Sequence, residues 1–171
     1  MKRVLLFGTV IMVALVMSPM ASWAGPPPDV DAMIRGGLTD NYKGENVLTP
    51  GSPISQQTAR ARTRIGRSAN FQIKAENNDD LSDTFSVDGC GSSPGFKVTY
   101  KEGGVNFTDE VKDGSHTQFI PAMDFNDDLR LKIEVKDSAD VGDIKKCKVV
   151  FESDNDSDED TVRAKLKVKA G

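Results

Sequence analysis

The chain has one His, two Cys and one Trp in 171 residues, and only 6% of it is aromatic. Each scarcity excludes a class of chemistry. A Cys- or His-built zinc site takes about four such ligands, more than this chain can supply. A lone His has no second imidazole with which to relay a proton. There is no CxxC spacing, so a redox-active dithiol is excluded too. The G-x-S-x-G elbow of serine hydrolases is absent. Neither Gly89-Cys90-Gly91 nor Gly103-Gly104 leads into the Lys and helix that a phosphate-cradling loop needs.

Net positive charge is also lacking. Lys and Arg total 22 against 26 Asp and Glu, a net of −4. Bulk electrostatics therefore oppose nucleic acid or an anionic membrane as partner. At roughly 100–200 residues per domain, this length supports one domain with a flanking segment.

Long apolar runs are confined to the N-terminus. Lys2 and Arg3 precede a run from Val4 to Met17 that is interrupted only by Gly8 and Thr9. Ser18-Pro19 breaks it, and Ser22 and Ala24 then supply the small residues of a cleavage site. This is the order of a secretory signal peptide over 1–24, cut after Ala24. The alternative is an uncleaved anchor, for which the run is short, since a bilayer core takes about 20 residues. No Cys stands at the cut, so lipoprotein processing is not expected. Removing Lys2 and Arg3 with the leader leaves a chain two charges more acidic than −4. No second apolar run is long enough to span a membrane, and no hydrophobic tail precedes Gly171. The expected product is secreted or periplasmic, with no membrane span after cleavage.

What remains divides into a lead-in over 25–55 and a body over 56–171. The lead-in opens on Pro26-Pro27-Pro28, stiff and extended, and holds one short apolar strand from Val30 to Ile34. Its Gly and Pro content rules out a helix. The body is patterned at period two. Phe71–Ala75, Thr84–Val87, Phe96–Tyr100, Leu129–Lys136 and Val162–Lys169 each alternate apolar and polar residues, and Cys147–Phe151 is a further short strand-like run, all separated by turn-forming stretches. Alternation places every second side chain on a core and the rest in water, as in antiparallel sheets with one wet face. No window carries a helical apolar stripe, so very little helix is expected. About seven short strands in this length predict an all-β fold, an immunoglobulin-like antiparallel β-sandwich.

An even cysteine count in an exported chain points to one disulfide, Cys90–Cys147. In the chain-entropy model a loop of this length is worth roughly 4 kcal/mol. The alternative is two free buried thiols. Cys147 shares its face with Val149 and Phe151 and so points inward. The Cys…Trp…Cys pattern of antibody domains is missing, because the one Trp lies in the leader.

Several segments then carry a resemblance. Gln56-Gln57-Thr58 is followed by Ala69-x-Phe71-x-Ile73 with Asn77 after it. Asp83-Thr84-Phe85-Ser86-Val87 and Gly95-Phe96-Lys97-Val98-Thr99-Tyr100 come next. From Gln56 to Ala170 the chain resembles bacterial immunoglobulin-like modules of exported and cell-surface proteins. It is similar to the cell-adhesion-related bacterial domain and to the sandwich domains appended to secreted glycosidases. The Leu129–Val135 and Val162–Val168 strands fit the same layout. The resemblance implies a sandwich fold and a role in binding or structure. Such modules usually recur in long chains, whereas this chain has a single copy.

Candidate sites are few. Asp154, Asp156, Asp158 and Asp160 alternate along one acidic stretch, which suits Ca²⁺ and its hard-oxygen ligands. The EF-hand template fails, since its required Gly falls on Glu159 and its closing Glu on Lys165. The plainer reading is a solvated hairpin turn. Arg60, Arg62, Arg64 and Arg67 form a basic patch whose guanidinium forks suit a partner's carboxylates or phosphates. They equally suit an edge strand that deters aggregation. Arg163, Lys165, Lys167 and Lys169 make a second cationic ladder on the last strand.

His116 stands in a loop-like setting, Asp113-Gly114-Ser115-His116-Thr117, and lying beside Ser115 does not make a triad by adjacency. Expected, therefore, is an exported non-enzymatic module, with no catalytic residue and no cofactor beyond a candidate Ca²⁺. Its partner would be an envelope protein or a glycan. Two alternatives rank below it. One is a carbohydrate-binding module stacking sugars on Tyr42, Tyr100, Phe107 or Phe125. The other is a small hydrolase using paired carboxylates among Asp124, Asp127 and Asp128.

Overall fold

The computed structural model describes residues 30–37, 40–47 and 55–171. The leader over 1–24, its cut after Ala24 and the Pro26–Pro28 run lie outside the described residues. Ten strands and one short helix follow in order. They are β1 (Val30–Gly36), β2 (Thr58–Thr63), β3 (Ser68–Asn77), β4 (Asp83–Gly89) and β5 (Phe96–Glu102). Then come β6 (Val105–Asn106), α1 (Thr108–Asp113), β7 (His116–Ile120), β8 (Phe125–Val135), β9 (Ile144–Ser153) and β10 (Glu159–Val168).

The strands form two five-stranded sheets, ordered β1-β3-β8-β5-β6 and β2-β10-β9-β4-β7. Period-two patterning decides which side chains face inward. In β8, Leu129, Leu131, Ile133 and Val135 are buried while Arg130 and Lys132 are exposed. With Phe71, Ile73, Val98 and Tyr100 of the first sheet they pack onto Phe85, Val87, Val149, Phe151, Ala164 and Leu166 of the second. β1 pairs along its whole length with β3, from Val30 opposite Asn77 to Gly36 opposite Phe71. The apolar Val30–Ile34 segment is thus an outer strand of the first sheet.

The disulfide Cys90–Cys147 is formed. It joins the end of β4 to β9, its neighbour in the same sheet, so it staples two strands and does not cross the core. The crossing is made by Tyr100 of the opposite sheet. Its hydroxyl donates to the Cys90 carbonyl at 3.2 Å and lies 3.0 Å from Cys147 Sγ. This close approach requires Gly89. A Cβ there would stand 2.5 Å from Tyr100 Oη and 2.8 Å from Val111 Cγ1.

Three expectations need correcting. About seven strands were expected, and the described residues form ten: β6 is too short to show alternation, while β2 and β7 are polar and brief. Pairing was expected to be antiparallel throughout, but β2 runs parallel to β10. The two strands lie at opposite ends of the body, so the whole domain acts as their crossover connection. No local pattern can report that. His116, read as part of a loop, begins β7 and is buried.

Candidate functional site

The parallel pairing of β2 with β10 brings the two cationic ladders side by side. Arg60 stands opposite Lys165 and Arg62 opposite Lys167. On the other flank of β10, antiparallel β9 sets Lys146 opposite Lys165 and Ile144 opposite Lys167. Outward residues repeat about every 6.7 Å along a strand and about every 4.8 Å across strands. The outer face of the second sheet therefore carries a small lattice. One row is Arg60, Lys165, Lys146, and the next is Arg62, Lys167, Ile144.

A shallow concavity lies over it, lined by Arg60, Ala61, Arg62, Ile144, Lys165 and Lys167. Ile144 is 46% exposed, an apolar point amid the cations. One row further along, Arg163 donates through Nε and Nη2 to the Thr58 hydroxyl, at 3.2 and 3.0 Å. That anchors the border of the lattice to β2.

The lattice has no internal compensation. Among the described residues, ion pairs join Lys74 to Glu76, Lys112 to Asp109 and Lys132 to Glu134, and His116 Nε2 lies 2.9 Å from Glu102. None involves Arg60, Arg62, Lys146, Lys165 or Lys167. Like charges directly opposite each other destabilise a sheet by up to about 1 kcal/mol per pair. Protection of an edge would place charge on β2 alone. Here the cations continue onto β10 and β9, which are interior strands. Edge protection therefore explains Arg60 and Arg62 and leaves the lysines without a reason.

Of the four arginines expected to act together, Arg60 and Arg62 enter the lattice. Arg64 and Arg67 flank the turn into β3, joined by the Arg67 N–H to Arg64 carbonyl bond. Lys146 and Ile144 were not foreseen as part of a site. The signal was present, because an inward Cys147 forces Lys146 outward.

The acidic stretch divides. Asp154, Asp156 and Asp158 are exposed on the β9–β10 turn, where the Asp158 N–H donates to Asp156. Asp160 is fully buried. Its carboxylate accepts from the Ala32 N–H at 2.8 Å, from Gln57 Nε2 at 2.6 Å and from the Thr161 N–H at 2.7 Å. It thus ties β10 to β1 across the sandwich, turned away from the other three. Among the described residues no group of three or more His, Cys, Asp or Glu is arranged to hold a metal ion.

Two further polar clusters lie inside the fold. Glu102 accepts from Gln118 at 3.0 Å and Asn126 at 2.6 Å, and pairs with His116 at 2.9 Å. Glu102 and Asn126 belong to the first sheet, His116 and Gln118 to the second, so the cluster clasps one open edge of the sandwich. Phe107 stacks against the His116 ring. Asp31 is 1% exposed and accepts from the Asn46 N–H at 2.7 Å. Burial pushes its carboxyl up to about 6, with the Asp160, Glu76 and Glu45 charges adding to the rise and the Asn46 bond opposing it.

The aromatics proposed for sugar stacking are dispersed. Tyr100 is core, Phe107 is half-buried against His116, and Tyr42 is half-buried beneath the Arg35 guanidinium. Phe125 is exposed, with Lys74 Nζ over its ring. Asp124 and Asp127 are engaged locally, the first by the Phe125 N–H and the second by Gln72.

No protein-family model matches the chain, and no curated protein matches it in sequence. Among solved structures it is similar to a family 123 glycoside hydrolase from Clostridium perfringens. The TM-score is 0.53 and the identity 14%, over 81% of this chain and 27% of that one. It is also similar to PapD-like domain 7 of human CEP192, with TM-score 0.41 and 11% identity over 95% and 98% of the chains. A cohesin–dockerin complex from Clostridium thermocellum gives TM-score 0.35 and 12% identity over 82% and 96%. This chain spans only 27% of the hydrolase chain, so the likeness is to one part of that enzyme. What the hydrolase likeness supports is the fold alone, a two-sheet β-sandwich.

Proposed function

We propose that the chain is a non-catalytic binding module, and that the cationic lattice of its second sheet receives a compact acidic segment of a partner protein. The observation that carries this is the set of five cations on three adjacent strands with no ion pair among the described residues. A fold that keeps mutually repelling charges on interior strands retains a cost that a binding role explains.

Two lattice rows about 6.7 Å apart and three columns about 4.8 Å apart suit a turn or short loop bearing several carboxylates. A long polyanion would leave the lattice and meet the rest of a surface whose balance is acidic, with a chain net of −4. Guanidinium and ammonium heads around Ile144 offer directed hydrogen bonds and a small apolar contact together. The Cys90–Cys147 disulfide suits an oxidising compartment. With the leader, it supports export and a partner in the envelope or outside the cell. The Asp154–Asp160 stretch acts in this reading as a hydrated turn, with Ca²⁺ not required.

The test is fluorescence anisotropy with a labelled oligoglutamate peptide and the purified protein. Saturable binding that weakens as salt rises is expected, with at least a tenfold loss in the pair Lys165→Glu, Lys167→Glu. Arg67→Glu, outside the lattice, should bind as the parent does. Equal binding by all three proteins would overturn the assignment.

A further inference from the structure

Resting on that reading, we infer that one partner of the lattice is a second copy of this chain, docking by its β9–β10 turn. The turn is the acidic counterpart already present in the molecule. Asp154 and Asp158 are exposed on it, and Glu152 is exposed just before it on β9. Glu152 has the same strand parity as Lys146, so the outer face of the second sheet is cationic at one end and anionic at the other.

The two ends cannot satisfy each other within one molecule. Lattice and turn lie toward opposite ends of β10, and the six residues from Glu159 to Lys165 span about 20 Å at 3.3 Å per residue. That is more than twice the Debye length of about 8 Å at physiological ionic strength. The two ends are therefore largely screened from each other within one molecule. The fit in width is also good. The two strands entering the turn are about 4.8 Å apart, the same spacing as adjacent columns of the lattice.

Turn into lattice is a head-to-tail contact between different surfaces. Such a contact propagates, giving open chains or rings and not a closed two-fold dimer. Its small, charged footprint makes the assembly weak and salt-sensitive, below the roughly 800 Å² per partner of a standard stable interface.

The experiment is sedimentation velocity of the purified protein at about 0.05 M and about 0.5 M salt. Two variants accompany it, Lys165→Glu with Lys167→Glu, and Asp154→Lys with Asp158→Lys. The parent should gain mass with concentration at low salt and return to monomer at high salt. Each variant alone should remain monomeric. Their equimolar mixture should associate again, because the intact turn of the first meets the intact lattice of the second. A monomeric parent at low salt, association of either variant like the parent, or a mixture that stays monomeric would each overturn the inference. The oligoglutamate titration separates the two readings. If the peptide binds the lattice while the parent stays monomeric, self-association falls and the binding module stands. If the peptide does not bind, both fall.

Discussion

Arg60 of β2 and Lys165 of β10 stand directly opposite each other in the parallel pair of these two strands, on the outer face of the second sheet. Lys146 flanks Lys165 on its other side, so Lys165 has a like charge on both sides. A carboxylate in its place would turn two repulsions into two attractions. Lys165→Glu should therefore stabilise the protein by about 1 kcal/mol at low salt. The melting temperature should rise by about 2–5 °C, measured by thermal denaturation. The same substitution should weaken binding of the acidic probe, by less than the pair Lys165→Glu, Lys167→Glu does. A variant that loses both stability and binding would indicate a packing role for the Lys165 stem.

Asp31 predicts a pH dependence of definite sign. Its folded carboxyl titrates near 6, above the ordinary value of 3.8, chiefly because it is buried. As pH rises from about 4 to 6, the unfolded chain releases this proton first, so the contribution of Asp31 to stability falls. Below about 4 the contribution is fully favourable, and above about 6 the loss is complete. Asp31→Asn should remove this fall and be more stable at pH 7 by up to about 3 kcal/mol. Urea denaturation of both proteins at pH 4.5 and pH 7 measures it. Parallel pH profiles for parent and variant would show that Asp31 is not the group responsible.

Gly89 and Tyr100 should be coupled. Gly89→Ala places a methyl against the Tyr100 hydroxyl and Val111, at a cost of about 1–3 kcal/mol for overpacking. Tyr100→Phe loses the bond to the Cys90 carbonyl, about 1 kcal/mol. In the double variant the hydroxyl is gone, so the combined loss should be smaller than the sum of the two. Chemical denaturation of the four proteins gives the coupling directly, and strict additivity would argue against the close approach.

The clasp around Glu102 should behave as a unit. Glu102→Ala removes the acceptor shared by Gln118 and Asn126, together with the carboxylate 2.9 Å from His116 Nε2. Leaving buried donors unpaired should cost about 2–4 kcal/mol. His116→Ala, which removes a single partner, should cost less. Hydrogen exchange should show increased opening of β7 in Glu102→Ala, because β7 is the outer strand held by that cluster.

The fold was readable in the sequence where one strand declares itself, and unreadable where two strands must be compared. Leu129–Val135 and Val162–Val168 show their inward face through alternation alone. The cation ladders on Arg60–Arg62 and Arg163–Lys169 were equally visible. Whether they met depended on β2 pairing with β10 in parallel, a contact between chain ends that leaves no local trace. Lys146 could have been placed outward from the inward-facing Cys147. The Glu102 clasp could not have been anticipated, because its members come from three separate segments, β5, β7 and β8, joined only by the packing of two sheets. Asp160 misleads for a related reason. It belongs to the acidic turn by sequence, but strand parity and burial turn it toward Ala32 and Gln57.

The central claim is that the β2–β10–β9 face binds an acidic segment, and an NMR titration tests it most directly. Amide chemical shifts of the ¹⁵N-labelled protein would be followed as unlabelled oligoglutamate is added at low salt. The account predicts shifts concentrated at Arg60–Arg62, Lys165–Lys167 and Ile144–Lys146, reversed by added salt and absent in Lys165→Glu with Lys167→Glu. Shifts centred on the first sheet, or none at saturating peptide, would contradict it.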